Sequence, residues 1–308
     1  QYKKRYMKKI MVTGGAGFIG SHLAEYLSKN NHVTVIDNLS QGNKLKKTNK
    51  NINLIKGDVR DYDLIKYYSK NCTSVFHLAA ILGVDVVSKK NIETMDCEFD
   101  GLKNVCSAAK KNKLKKIIYA SSSGVYGQLN YRGNVKESAI IQPSSAYSMA
   151  KRACEVYLKY FYDETKISSI AVRLFNVYGP RQDDRMVIPR FINQARKNIS
   201  ITVYGSGKQT RDFTYVDDCI KVFDLLNKKV NGYHILNSSR GKEFDIYSLA
   251  RMIKKKLKSK SNISKVNVPK KIQEFQVMKR SGNSSKLFEL IRYKPKTDLI
   301  DGLNKIVK

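Results

Sequence analysis

The sequence predicts an α/β fold: a doubly wound parallel sheet with a smaller C-terminal lobe. Three observations carry that expectation. Short apolar runs alternate with helix-patterned segments from residue 9 to about 176. A glycine-rich turn follows the first run and opens the first helical segment. From about residue 177 the alternation gives way to loop-like stretches and short elements.

The first run, KKIMVTGG, reads as a buried strand, and FIGSHLAEYLSKN has helical spacing at Ile19, Leu23, Tyr26 and Leu27. HVTVIDN and INLIKGD are the second and third strands, DYDLIKYYSK is a helix and SVFHLAA a fourth strand. A long helix is expected over about 91–112, followed by the strand KKIIYASS, a helix over about 145–163 and the strand SSIAVRLFN. Right-handed crossovers place helices on both faces of such a sheet. The stretch VYGPRQDDRMVIPR, with two prolines, marks the break. Short elements follow in SITVYGSG, RDFTYVDDCIKVFDLLNK, GYHILN and DIYSLARMIKKKL, and the tail ends in a helix.

The 308 residues and 42% hydrophobic content suit one large or two smaller globular units. No run of about 18 apolar residues is present, so no transmembrane helix is expected. The start is basic but lacks the apolar region of a signal peptide, and Met7 is the expected natural start after a six-residue extension. Five cysteines, at 72, 97, 106, 154 and 219, form no CxxC pair. An odd, scattered set argues against a disulfide framework or a metal site and for a reducing, cytoplasmic compartment. The net charge of +32 admits a nucleic-acid binder. The lysines are nevertheless dispersed among Asn and Ile, as in KKTNKNINLIK, which reads as solvated surface and makes nucleic acid an unfavoured partner.

In TGGAGFIG, Gly14, Gly17 and Gly20 lie between a strand and a helix. Glycines there let backbone approach a pyrophosphate, and the helix N-terminus supplies N–H donors and partial positive charge. The spacing is GxxGxxG and not the commoner GxGxxG, but the physics is the same, and the strand–turn–helix setting points to a dinucleotide cofactor. Asp37, ending the second strand, is suited to hold ribose hydroxyls and would repel a 2′-phosphate, which favours NAD over NADP, although a turn role accounts for it too. Asp58 and Val59, at the end of the third strand, are placed to touch the adenine, with Asp58 alternatively a turn residue. Tyr147 and Lys151 in YSMAK share one helix face. A phenol is a poor base at neutral pH, and an adjacent ammonium and a nicotinamide cation would favour its ionised form.

The motifs TGGAGFIG, GDVRD, HLAA, SSSGVYG, YSMAK and TRDFTYVDD occur in that order. From about residue 8 to its end the chain resembles the extended short-chain dehydrogenases/reductases of the NAD-dependent nucleotide-sugar epimerase/dehydratase family, UDP-glucose 4-epimerase-like. The resemblance implies catalytic roles for Ser122, Tyr147 and Lys151. It completes a cofactor set of Gly14, Gly17, Phe18, Ile19, Asp37, Asn38, Asp58, Val59, Leu78, Ala79, Ala80, Tyr147 and Lys151. It implies substrate contacts from Ser122, Ser123, Asn176, Val187, Tyr204 and Arg211, with Tyr204 against the base and Arg211 on the diphosphate. His77 follows the family pattern and reads as strand-end packing.

The resemblance also implies a division of the chain. Residues 1–176 form the NAD-binding Rossmann domain, with about 212–238 returning to it. Residues 177–211 and 239–308 form the nucleotide-sugar-binding lobe. Three departures stand out. Ser123-Gly124 replaces the Asp-Glu of the dehydratases and the Ser-Glu of the decarboxylases. Glu98 stands where the family usually has Asn. QEFQ at 273–276 replaces RPGD, so that a second phosphate-binding arginine is missing or Lys279 or Arg280 takes its place. Without a carboxylate beside Ser122, elimination lacks its acid and base, and the expected reaction is 4-epimerisation of a UDP-hexose through a 4-keto intermediate. A 4-ketoreductase or decarboxylase of the same family is the enzymatic alternative, and a nucleic-acid-binding or sensory protein on this fold the alternative of another class. By family resemblance the helices over 91–112 and 145–163 pair in a homodimer.

Overall fold

The computed structural model describes residues 7–46, 49–81, 90–128, 133–269 and 277–307. The first half runs β1 (Lys8–Thr13), α1 (Phe18–Leu27), β2 (Asn31–Asp37), β3 (Ile52–Lys56), α2 (Tyr62–Tyr68), β4 (Cys72–His77), α3 (Asn91–Lys111), β5 (Lys116–Ser122), α4 (Ala146–Thr165) and β6 (Ser168–Leu174). The second half adds β7 (Val177–Tyr178), α5 (Val187–Arg196), β8 (Ile201–Tyr204), β9 (Thr210–Asp212), β10 (Thr214–Tyr215), α6 (Val216–Lys229), β11 (Tyr233–Ser238), β12 (Glu243–Asp245), α7 (Ile246–Lys256), β13 (Ile263–Val266), α8 (Ser285–Ile291) and α9 (Leu299–Ile306). The two long helices fall within a residue or two of their predicted limits.

Seven strands form one parallel sheet in the order β11-β6-β5-β4-β1-β2-β3. Its central strands β1, β4, β5 and β6 are buried on both faces, which is why their middles are largely apolar. The period of two still divides them. Ile10 and Val12 face one core and Met11 the other; Ile118 and Ala120 oppose Ile117 and Tyr119 in the same way. Helices α1 and α6 cover the first face, and α2, α3 and α4 the second. Chain direction across the sheet reverses between the neighbours β1 and β4, so the loops after them diverge and leave a crevice at their carboxyl ends. Three two-stranded sheets, β7 with β10, β9 with β12 and β8 with β13, lie outside the seven-stranded sheet.

Helix α4 enters through a reciprocal cap. The Ser145 hydroxyl accepts from the Ser148 amide at 3.2 Å, and the Ser148 hydroxyl accepts from the Ser145 amide at 3.0 Å. Further along, Glu155 is fully buried and takes both arms of Arg173 from β6, Nε at 2.8 Å and Nη2 at 2.8 Å. Ser121 of β5 donates to the same carboxylate at 2.7 Å. Arg173 Nη1 reaches the Tyr126 hydroxyl at 2.8 Å, and that hydroxyl donates to Asn237 of β11 at 2.8 Å. One ionic network thus fastens α4, β5, β6, β11 and the turn after β5. Removing one partner of a buried pair strands a charge and costs about 3–5 kcal/mol. Arg173→Met is expected to lose stability of that order in urea unfolding, and adding Glu155→Leu is expected to recover much of it.

Candidate active site

The glycine turn fits its predicted place. A Cβ on Gly14, whose φ is +68°, would lie 2.6 Å from the Ala79 nitrogen, and one on Gly20 would lie 2.1 Å from the Gly14 carbonyl oxygen. Gly14 and Gly20 therefore allow the strand, turn and helix to close up. Gly17 is different: its nearest neighbour would be 3.4 Å away. It caps α1 with no side-chain acceptor, so no side chain occupies the N–H groups of the first turn. Phe18 and Ile19 of that turn keep part of their surface open.

Asp37 accepts from the Ala16 amide at 2.9 Å and the Leu39 amide at 2.8 Å, which ties the end of β2 to the glycine turn. Exposed Asn38 accepts from the Ser40 amide at 3.0 Å. Leu78, Ala79 and Ala80 follow β4, partly exposed, against Gly14. Asp58 is taken by Arg60, at 2.7 Å and 3.0 Å, and that hydrogen-bonded pair holds its carboxyl below the ordinary range. Val59 is nearly buried and packs on Gly101 of α3.

The three serines separate by direction. Ser121 points under the sheet to Glu155. Ser123 is 6% exposed in the single helical turn Ser123–Tyr126. Ser122 remains partly open, and its hydroxyl accepts from the Gly124 amide at 3.0 Å. Tyr147 is also partly open. Burial pushes its phenol up, Lys151 pulls it down, Glu98 pushes it up and the Ser122 hydroxyl pulls it down; the net direction is up. Lys151 is 2% exposed. Its ammonium lies 5.5 Å from the Tyr147 ring centroid, donates to the Ala120 carbonyl at 2.7 Å and meets Glu98 Oε2 at 2.9 Å.

Glu98 is fully buried and also accepts from the Tyr119 hydroxyl at 2.9 Å. The sequence flagged it as a departure from the usual Asn, yet gave no sign that it pairs with Lys151. That contact joins α3 to α4 across residues 53 apart in the chain (98 to 151). His77 is fully buried beneath the site, with Nδ1 2.7 Å from the Thr13 hydroxyl and its ring stacked on Tyr119. Among the described residues no cluster of His, Cys, Asp or Glu could hold a metal ion.

In the C-terminal part, Val187 opens α5, Tyr204 ends β8 and Asn176 is exposed, its amide donating to the Asp212 carbonyl at 3.4 Å. The Arg190 guanidinium lies 4.5 Å over the Tyr204 ring, a stacking that no sequence motif signalled. Arg211 Nη1 donates to the Thr210 carbonyl at 2.7 Å and the Val277 carbonyl at 2.6 Å. Among the described residues no carboxylate pairs with it, and burial pulls its guanidinium down. Residues 273–276 lie outside the described residues. Arg280 donates to the Gly127 carbonyl.

A conserved-domain model described as the NAD dependent epimerase/dehydratase family matches residues 10–237. The chain belongs to that family, and its cofactor is NAD, which the glycine turn and Asp37 fit. It is 36% identical over 315 residues to a UDP-N-acetyl-alpha-D-glucosaminuronate decarboxylase of Bacillus cytotoxicus, covering 98% of this chain and 97% of that one. A UDP-N-acetylglucosamine 4-epimerase from Methanobrevibacter ruminantium, solved with UDP-N-acetylmuramic acid, superposes with a TM-score of 0.91 at 35% identity, covering 98% of this chain and 97% of that one. A UDP-glucose 4-epimerase from Thermotoga maritima, solved with UDP-glucose, gives a TM-score of 0.91 at 29% identity, with 97% of both chains covered.

Burial and the nearby Lys151 charge push the His77 imidazole down to about 3. An unfolded histidine titrates near 6.5. Below that pH the unfolded chain therefore binds a proton that the folded one refuses. His77 thus contributes stability that is complete above about pH 6.5 and is lost as pH falls towards 3, at up to about 1.4 kcal/mol per pH unit. Urea unfolding at a series of pH values is expected to show this slope in the wild type and a slope shallower by one proton in His77→Asn.

Proposed function

We propose that the chain is a nucleotide-sugar 4-epimerase that inverts C4 of a UDP-hexose. One feature supports this reading: Ser122, Tyr147 and Lys151 lie together, suited to proton transfer at a sugar hydroxyl, and among the described residues no free carboxylate stands beside them. Among the described residues the carboxylates close to the three, Glu98 and Glu155, are fully buried and engaged by Lys151 and Arg173. Expulsion of a 6-hydroxyl needs an acid, and removal of the C5 proton needs a base. Redox at C4 needs neither.

Bound NAD supplies the acceptor and donor of hydride. Tyr147 takes the proton of the 4-hydroxyl and gives it back after the 4-keto sugar has turned over. Ser122 hydrogen-bonds that hydroxyl, and Lys151 favours the ionised phenol. Arg211 clamps the diphosphate about which the sugar pivots; a guanidinium with no carboxylate partner suits that role. Val187 and Tyr204 hold the base, with Arg190 backing the Tyr204 ring. In this reading the seven-stranded sheet and its helices form the cofactor domain, and residues 177–211 and 239–308 form the sugar-nucleotide lobe. Decarboxylation of a UDP-uronate is the second reading, favoured by the 36% identity to the Bacillus cytotoxicus enzyme.

The test is incubation with UDP-glucose, UDP-galactose, their N-acetyl forms and UDP-glucuronate, followed by NMR. Inversion at C4 is expected. Loss of the carboxyl carbon as CO2 would establish the second reading, and a 4-keto-6-deoxy product would overturn both. Ser122→Ala and Tyr147→Phe are each expected to lower kcat by about 10²–10⁴-fold with cofactor binding retained. Because the two groups serve one proton, the double variant is expected to be little worse than the poorer single one.

A homodimer through α3 and α4 belongs to the same proposal. Ile92 and Met95 on α3 and Met149, Val156 and Tyr160 on α4 are large apolar side chains left 38–76% exposed. A stripe of this kind on two adjacent helices suits an isologous contact. Light scattering at micromolar concentration is expected to give twice the chain mass, and Ile92→Lys with Tyr160→Lys to give the single mass. Among the described residues no helix is long and apolar enough to cross a membrane, and all five cysteines are unpaired and buried. The unpaired cysteines support a cytoplasmic location.

A further inference from the structure

We propose that Glu98 is a positioning residue for the tyrosine–lysine pair: it fixes the Lys151 ammonium at the floor of the site and offsets part of the charge that would otherwise draw the proton from Tyr147. The inference rests on the functional reading above for its purpose, but not for its test.

The geometry is specific. Glu98 Oε2 carries both contacts, Lys151 Nζ at 2.9 Å and the Tyr119 hydroxyl at 2.9 Å, while Oε1 has no hydrogen-bond partner among the described residues. Lys151 and Glu98 are 2% and 0% exposed, so water screens their interaction little. Side-chain rotation of Lys151 is further limited by its bond to the Ala120 carbonyl and by the Tyr119 ring 4.7 Å beneath it. A neutral asparagine, the usual occupant, could hold the amine by hydrogen bonds. It could not neutralise it.

The other titratable groups packed around the pair carry no charge near neutral pH. His77 of β4 is pushed down to about 3 by burial and by Lys151. Tyr119 of β5 is raised well above its ordinary value by burial and by Glu98. Burial pushes Cys97 of α3 up to about 11 and Cys154 of α4 up to about 12. Lys151 and Glu98 are thus the two charges that Tyr147 feels at short range. Burial opposes the Lys151 charge and the Glu98 carboxylate supports it, for a net rise; burial lifts the Glu98 carboxyl against the pull of Lys151. An enzyme that takes a proton in one half of its cycle must return it in the other. A phenol that is not too acidic serves both halves.

Glu98→Gln keeps the shape and one acceptor and removes the charge. The readout is the phenolate absorbance near 295 nm during a pH titration, taken as the difference between each protein and its Tyr147→Phe counterpart. That signal needs no substrate, so it is independent of which sugar the enzyme uses. In the wild type freed of oxidised cofactor, whose nicotinamide cation would otherwise favour the phenolate, Tyr147 is expected to stay protonated through neutral pH. In Glu98→Gln its ionisation is expected at a pH lower by about one to two units. The acid limb of the kcat/KM profile is expected to move the same way, and Glu98→Asn is expected to repeat the shift. An unmoved or upward-shifted titration, with or without lost activity, would make Glu98 a structural residue and overturn the proposal. Should neither variant fold, Glu98→Asp, which keeps the charge but draws it back from Lys151, takes their place: a lowered Tyr147 titration would uphold the proposal, and an unmoved or raised one, or ionisation of the wild-type phenol near neutral pH without oxidised cofactor, would overturn it.

Discussion

Tyr147, Lys151 and Glu155 recur every four residues along α4, on one stripe of the helix. The two lower members are buried charges, and each is met by an opposite charge from another element: Lys151 by Glu98 of α3, Glu155 by Arg173 of β6. Neither charge could be buried alone, so the helix has essentially one seating in which both are satisfied. The capping serines fix where it begins, and the stripe fixes how it is rotated. Tyr147, one turn above Lys151, inherits its position from that seating. It emerges beside Ser122 because β5, which carries Ser122, also supplies Ala120 and Ser121 as partners to the same two charged side chains.

The charge distribution follows the same logic. The chain carries a net charge of +32, yet at the centre each buried cation meets a carboxylate, Lys151 on Glu98 and Arg173 on Glu155, with Arg152 also reaching Glu155 at 3.1 Å. Arg211 differs, since its described partners are backbone carbonyls alone. An uncompensated guanidinium in a partly buried place is costly to keep and suits an anion that arrives with the ligand.

Much of this was legible in the sequence, for identifiable reasons. Parallel strands buried on both faces write themselves as apolar runs, and the glycine turn between β1 and α1 is dictated by backbone distances that tolerate little else. The i,i+4 spacing of Tyr147 and Lys151 needs only a helix to be meaningful. What could not be read was which side chains meet across the chain. Glu98 was visible as an odd residue in a helix, but its partner lies on a different element. The directions of the three serines depend on strand phase and on the turn that follows, which the run SSSGVYG alone does not show. Arg173 and Glu155 read as ordinary charges of a strand and a helix. Arg60, two residues beyond Asp58, takes a carboxylate that the motif alone leaves free.

The last strand of the large sheet comes late. β11 pairs along β6, and its Asn237 accepts from Tyr126, a residue 111 positions earlier, which in turn braces Arg173. Chains emerge from the ribosome N-terminus first and fold in units as they do. The glycine turn, Ser122, Tyr147 and Lys151 are all synthesised well before Asn237. Until β11 docks, the Tyr126 hydroxyl lacks that acceptor and β6 is an open edge with unpaired backbone groups. The half of the molecule that carries the glycine turn is thus not a self-sufficient unit of synthesis. It waits for a strand delivered only after everything between β6 and β11 has been made, and the order of translation leaves a long interval in which that edge must be kept from pairing elsewhere.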